Sequence, residues 1–239
     1  MKRALLIALG LVTLAALPAS AADLGRRLPT KAPPMAAEPV WNWTGFYIGV
    51  NGGAGWARSE HFTAAASTGL FDQKGGMIGG TIGYNWQTGP VVLGVEGDLD
   101  WARINGSTPG CFAGNCFTQM QAFGTARGRL GYAFNNWMPY ITGGAAFADI
   151  KAGQDGIGGT SADQWRAGWT IGGGVEAMFA PNWSAKLEYL YADFGTGAAT
   201  SYTPVGGVNV GASERNVNVV RGGINYHFNW GGGPVVARY

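Results

Sequence analysis

Acid–base or metal chemistry in this 239-residue chain would have to run through two histidines, His61 and His227, and two cysteines, Cys111 and Cys116. His61 stands beside Ser59 and Glu60, the residue types of a hydrolytic site, but adjacency in sequence does not create the geometry of nucleophile, base and orienting carboxylate. The cysteines lie in the stretch STPGCFAGNCFT. A metal ion would need two further ligands and no histidine is near, whereas in an exported chain an even pair reads as a disulfide closing a tight loop tip. The glycine-rich stretches GGAG (52–55) and GGG (172–174) lack the strand-to-helix context of a phosphate loop. No catalytic residue, metal or cofactor is therefore expected.

A second set of residues is marked by its spacing. Glu96, Asp98 and Asp100 recur every two positions, as do Arg127 with Arg129 and Lys186 with Glu188, while Arg166, Glu176 and Arg221 stand singly. Two is the period of a strand, so each group shares one face. The other face is apolar: Val91, Leu93, Val95, Leu99 and Trp101 oppose the first group, and Leu130, Tyr132 and Phe134 oppose the arginines. In the same way Trp165, Trp169, Ile171 and Val175 oppose Arg166, Thr170 and Glu176, Leu187 and Tyr189 oppose Lys186 and Glu188, and Val220, Ile224, Tyr226 and Phe228 oppose Arg221, Asn225 and His227. With a strand from about 120 to 134 and less distinct ones near 44–56, 75–87 and 138–149, where glycine and alanine blur the faces, the count is eight. Alternation over 91–101 is long for a soluble strand and matches the ~9–11 residues that cross a bilayer at a tilt.

Export is written at the start. Lys2 and Arg3 precede an apolar run from Ala4 to Leu17, and Pro18 leads into the small-residue site Ala19-Ser20-Ala21, the pattern of a cleaved signal peptide over 1–21. Without Lys2 and Arg3 the 16 basic residues become 14, against 14 acidic ones, so the processed chain is neutral and carries no footprint for nucleic acid. Residues 22–41, rich in alanine and proline, read as a periplasmic linker. Composition agrees with a β protein: 42 glycines and only 13% charged residues are incompatible with a helical bundle, and 13% aromatics with a disordered chain.

Related phrases recur at GYNW (83–86), GYAFNNW (131–137), VEAMFAPNW (175–183) and INYHFNW (224–230), which reads as four hairpins of two long strands each. Short turns at 87–89, 135–137 and 180–182 alternate with long polar segments near 57–74, 102–119, 150–164 and 195–215. That alternation of turns and loops belongs to outer-membrane barrels, with both chain ends on the periplasmic side. Aromatics gather at the strand ends, with Trp43, Trp86, Phe134, Trp137, Trp183 and Phe228 at the inner boundary and Trp56, Trp101 and Trp165 at the outer, as two interfacial girdles require. A soluble eight-stranded barrel would leave those girdles unexplained. The expected fold is all-β, an eight-stranded antiparallel transmembrane barrel over 42–228, with a tail at 229–239.

If the apolar faces meet lipid, Glu96, Asp98, Asp100, Glu176 and Glu188 face Arg127, Arg129, Arg166, Lys186 and Arg221 across the lumen. An eight-stranded barrel is just wide enough for side chains to fill, so these ten groups either pair as a structural plug or line a narrow, weakly conducting pore.

The phrases WNWTGFYIGVNGGAGW (41–56), GTARGRLGYAF (124–134), PYITGG (139–144) and GGINYHF (222–228) closely resemble the alphaproteobacterial outer-membrane immunogenic protein family, small porin-like barrel surface antigens. The resemblance implies a non-enzymatic outer-membrane protein with surface-exposed loops and an envelope-structural or porin-like role. Some relatives are described as haem-binding, which makes His61 a candidate axial ligand and an adhesin or haem-binding module the alternative function. Barrel strands usually end in an aromatic residue read by the assembly machinery; Tyr226 with Phe228 supplies one, and Tyr239 another. Outer-membrane lipids and that machinery are the expected partners, with peptidoglycan or host surface ligands as further candidates.

Overall fold

The computed structural model describes residues 41–111, 114–156, 159–195, 200–203 and 207–228. Period-two alternation becomes nine strands: β1 (Gly45–Phe62), β2 (Phe71–Thr88), β3 (Val91–Cys111), β4 (Gly114–Tyr132), β5 (Trp137–Asp155), β6 (Thr160–Ala180), β7 (Trp183–Asp193), β8 (Thr200–Tyr202) and β9 (Val210–Phe228). Each pairs antiparallel with its neighbour, and β1 pairs with β9 to close the ring. The short β8 does not widen it. β7 stops where Asp193 meets Asn216, and β8 resumes the same line further up β9, with Thr200 opposite Ala212. The wall therefore has eight staves, one of them broken. The signal-peptide and linker segments before residue 41, and the tail 229–239, lie outside the described residues.

Paired strand reaches well into the segments expected as long external loops. Apart from β7 and β8 the strands run 18 to 21 residues, about twice what a membrane requires. β1 continues to Phe62 and β2 starts at Phe71, while β3 and β4 stay paired, with shifts of register, out to Cys111 and Gly114. Ser, Thr, Asn and Gln on these outer stretches satisfy a ladder as well as apolar residues do; polarity alone had suggested loop. Two bulges, at Trp101/Ile104 between β3 and β4 and at Met120/Ala122 between β4 and β5, shift the register where the wall leaves the apolar belt.

At the other end the turns are tight. Gly89 (φ 59°) and Asn135 (φ 56°) take the left-handed conformation that glycine and asparagine tolerate best. The outward face is greasy: Ile48, Val50, Ile78, Ile82, Leu99, Ile141, Ile171 and Leu187 are all exposed. Tyr132, Phe134 and Trp137 pack in sequence near one rim, Phe134 stacking on Trp137 at 4.9 Å, and Trp183, Tyr226 and Phe228 continue the inner girdle. Trp43 does not belong to that girdle. It is wholly buried, because the chain before β1 turns into the barrel mouth instead of running along its rim.

Candidate functional site

Residues that alternate with the lipid-facing row must point into the lumen, and there they form layers. Nearest the short turns, Trp43, Val92, Met138, Tyr140 and Met178 make an apolar plug, with the Trp43 backbone N–H donating to Gln87 Oε1 at 2.9 Å. Next comes a charged layer. Arg127 on β4 donates to Glu96 on β3, to Asp98 Oδ2 at 3.0 Å and to Glu188 Oε2 on β7 at 3.0 Å. Arg221 on β9 reaches Asp98 Oδ1 (2.8 Å), Asp100 Oδ2 (2.6 Å) and Glu188 Oε1 (2.7 Å), so β3, β7 and β9 are tied through one guanidinium. Arg129 holds Glu176 Oε2 at 2.6 Å, and Lys186 holds Glu96 Oε2 at 2.9 Å. Every charged side chain of this cluster is at most 2% exposed.

Neutral groups complete the shell. Tyr47 donates to Glu96 Oε2 at 2.8 Å while accepting from Arg129, and Tyr140 donates to Glu188 Oε2 at 3.2 Å with its ring 4.1 Å beneath the Arg129 guanidinium. Ser184 and Asn225 both donate to Glu176 Oε1, and His227 Nε2 lies 2.8 Å from Ser184 Oγ. Sequence reasoning passed over Tyr47 and Tyr140, which lie on the strands whose faces were blurred. Counting inward from Phe46, Ile48 and Val50, or from Ile141, would have found both. Arg166 does not join the cluster. It lies further out on β6 and donates to the Phe194 carbonyl at 3.4 Å.

Beyond the charges the lumen turns apolar again, with Met77, Ile104, Met120, Phe123, Ile150, Leu190, Val217 and Val219 in contact as one buried cluster. Above that layer lies a small polar group. His61 is not in a loop but inside the outer part of β1, fully buried, with Nδ1 2.9 Å from the Tyr202 hydroxyl and Nε2 2.8 Å from Thr118 Oγ1. Both ring nitrogens are engaged, so an axial bond to haem iron would have to displace one of these partners. Burial pushes His61 down to about 4 and Tyr202 up to about 12. Ser59 takes a hydrogen bond from Gln73, and the His61 ring nitrogens lie against the Tyr202 and Thr118 hydroxyls instead of Ser59. Cys116 is buried with its sulfur 3.2 Å from the Tyr202 hydroxyl; the side chain of Cys111 lies outside the described residues.

A greasy exterior, two rims of aromatics and a charged, closed lumen are the attributes of a membrane barrel, and the family model described as "Outer membrane protein beta-barrel domain" matches residues 6–228. The chain belongs to the outer-membrane β-barrel family. Among its relatives, the 31 kDa outer-membrane immunogenic protein of Brucella melitensis biotype 1 is 36% identical over 229 residues, covering 88% of this chain and 93% of that protein. The 25 kDa outer-membrane immunogenic protein of Brucella canis is 32% identical over 210 residues, 88% of this chain and 91% of its own. OprG of Pseudomonas aeruginosa, an outer-membrane protein of known structure, aligns over 79% of this chain and 99% of its own with a TM-score of 0.47 and 13% identity. The protein is thus an outer-membrane β-barrel of the immunogenic surface-protein family, and its lipid-facing row lies in the outer membrane.

Proposed function

We propose that this barrel is an envelope-structural and surface-display protein whose lumen is a plug, not a porin channel. The observation that carries the reading is the stack of filled layers: an apolar plug around Trp43, a cross-strand cluster of five carboxylates and four cations, and an apolar layer above it. A conducting path would have to part all three. In planar bilayers the purified protein is expected to give no stable unitary conductance, and Glu96→Gln combined with Arg129→Gln to give leak currents. Discrete steps from the unsubstituted barrel, altered by those substitutions, would restore the weak-porin reading.

A second reading is favoured by the hairpins. β1 with β2, β3 with β4 and β5 with β6 continue as paired ladder past the outer aromatics, which makes them rigid projections suited to an adhesin or other surface-binding role. Deleting the outer part of one hairpin should then abolish ligand binding without affecting barrel heat-stability. We further propose signal cleavage after Ala21, a periplasmic linker over 22–41 that can reach peptidoglycan, a Cys111–Cys116 disulfide at the β3–β4 tip, and Tyr226 with Phe228 as the signal read by the assembly machinery.

A further inference from the structure

The outward face just beyond the outer aromatics is not uniform around the ring. On β1 to β3 it carries Arg58, Lys74 and Arg103, all exposed. At the corresponding outer level of β5 to β7 it carries Asp149, Asp163 and Asp193, and the cation there, Lys151, stands directly opposite Asp163 in the ladder. Arg58 is 3.6 Å from Asp72, which leaves Lys74 and Arg103 as the charges on that flank not committed to this pair.

Arg103 borders a cleft, and Lys74 stands two residues from its floor residue Gly76 on the same face of β2. Arg103 is the ladder partner of Gly76, and Gly76 is the partner of Ala54, so two small residues lie side by side next to the guanidinium. A Cβ added to Gly76 would meet only the Gly53 carbonyl oxygen, at 3.7 Å, so the depression is open. Its lining of Gly76, Ile78, Trp101, Arg103, Gln119 and Gln121 encloses about 730 Å³. Gln121 is the residue that the β4 bulge leaves without a ladder partner, and the bulge turns this stretch of wall at the cleft edge. The apolar side of the cleft, Ile78 and Trp101, faces the hydrocarbon; its cationic and amide side faces the headgroup level.

We propose that this flank binds an outer-leaflet glycolipid, with its phosphate held by Arg103 and Lys74, its sugar by Gln119 and Gln121, and an acyl chain lying along Trp101 and Ile78. Guanidinium and ammonium groups at a membrane surface recognise phosphate by charge-assisted hydrogen bonds, and a cleft floored by glycine admits the lipid to them.

The test is native mass spectrometry of the full barrel in a maltoside detergent, titrated with a bisphosphorylated lipid A and with the same lipid stripped of its phosphates. The unsubstituted protein should retain the phosphorylated lipid and not the stripped one, and millimolar inorganic phosphate should not displace it. Lys74→Gln combined with Arg103→Gln should weaken binding about tenfold or more. Gly76→Leu, which fills the cleft while leaving both charges, should weaken it as well, and heat-modifiable gel mobility should show both variants folded. Equal retention of the stripped lipid by the unsubstituted protein, displacement by inorganic phosphate, or undiminished binding by either folded variant would overturn the proposal.

Discussion

Arg221, like Arg127, satisfies carboxylates from two strands besides its own, and it is the partner of Asp100. Removing one partner from a buried cluster strands the others, so Arg221→Ala should cost about 3–5 kcal/mol, read as a lower urea midpoint in detergent or lipid. His61 makes a different prediction. It is held neutral by burial at about 4, below its ordinary 6.5. Between those values the unfolded chain takes up a proton that the folded chain refuses, so stability is complete above about 6.5 and falls as pH drops towards 4. The loss should approach about 3 kcal/mol, and His61→Gln should flatten the profile. Of these residues, the charged row was legible from spacing because strands repeat every two positions. The engagement of His61 was not, since Thr118 and Tyr202 approach it from strands 57 and 141 residues away.

At the level of elements, strand direction and order could be read from alternation and from the rhythm of turns, but strand ends could not. An outer stretch such as Asp72–Lys74 is polar on both sides, so only its ladder partners, not its composition, reveal it as β2. Close strand approach explains one of the glycines that blurred the reading: a Cβ on Gly79 would fall 2.3 Å from the Leu99 carbonyl oxygen, on neighbouring backbone. Gly79→Ala should therefore push β2 from β3 beside Asp100 and lower the temperature at which the heat-modified band appears. The segment before β1 behaves as an element too. Trp43→Ala should open a cavity among Val92, Met138 and Met178, cost about 3–5 kcal/mol, and make the chain ahead of Gly45 more open to protease in the folded barrel.

For the molecule as a whole, low charge and abundant glycine pointed to a membrane barrel, and the lumen was expected to hold ten charged groups as a plug or a narrow pore. Between its charged layer and its outer polar group, Met77, Ile104, Phe123, Ile150 and Leu190 fill the bore, and the outward neighbours of two of them are polar: Arg103 and Asn105 flank Ile104, Asp149 and Lys151 flank Ile150. Alternation had hidden this, because beyond the belt the usual pattern reverses on β3 and β5, with the apolar residue inward and the charged one outward. The same feature governs the life of the chain before it is a barrel. Until β1 meets β9, the open sheet shows the periplasm two apolar surfaces, the lumen row of Met77, Ile104 and Phe123 on one face and the lipid-facing belt of Ile48, Ile82 and Leu99 on the other. Transit is then its most hazardous interval, and the amount that reaches the membrane should follow the supply of periplasmic chaperones more closely than the ruggedness of the finished ring.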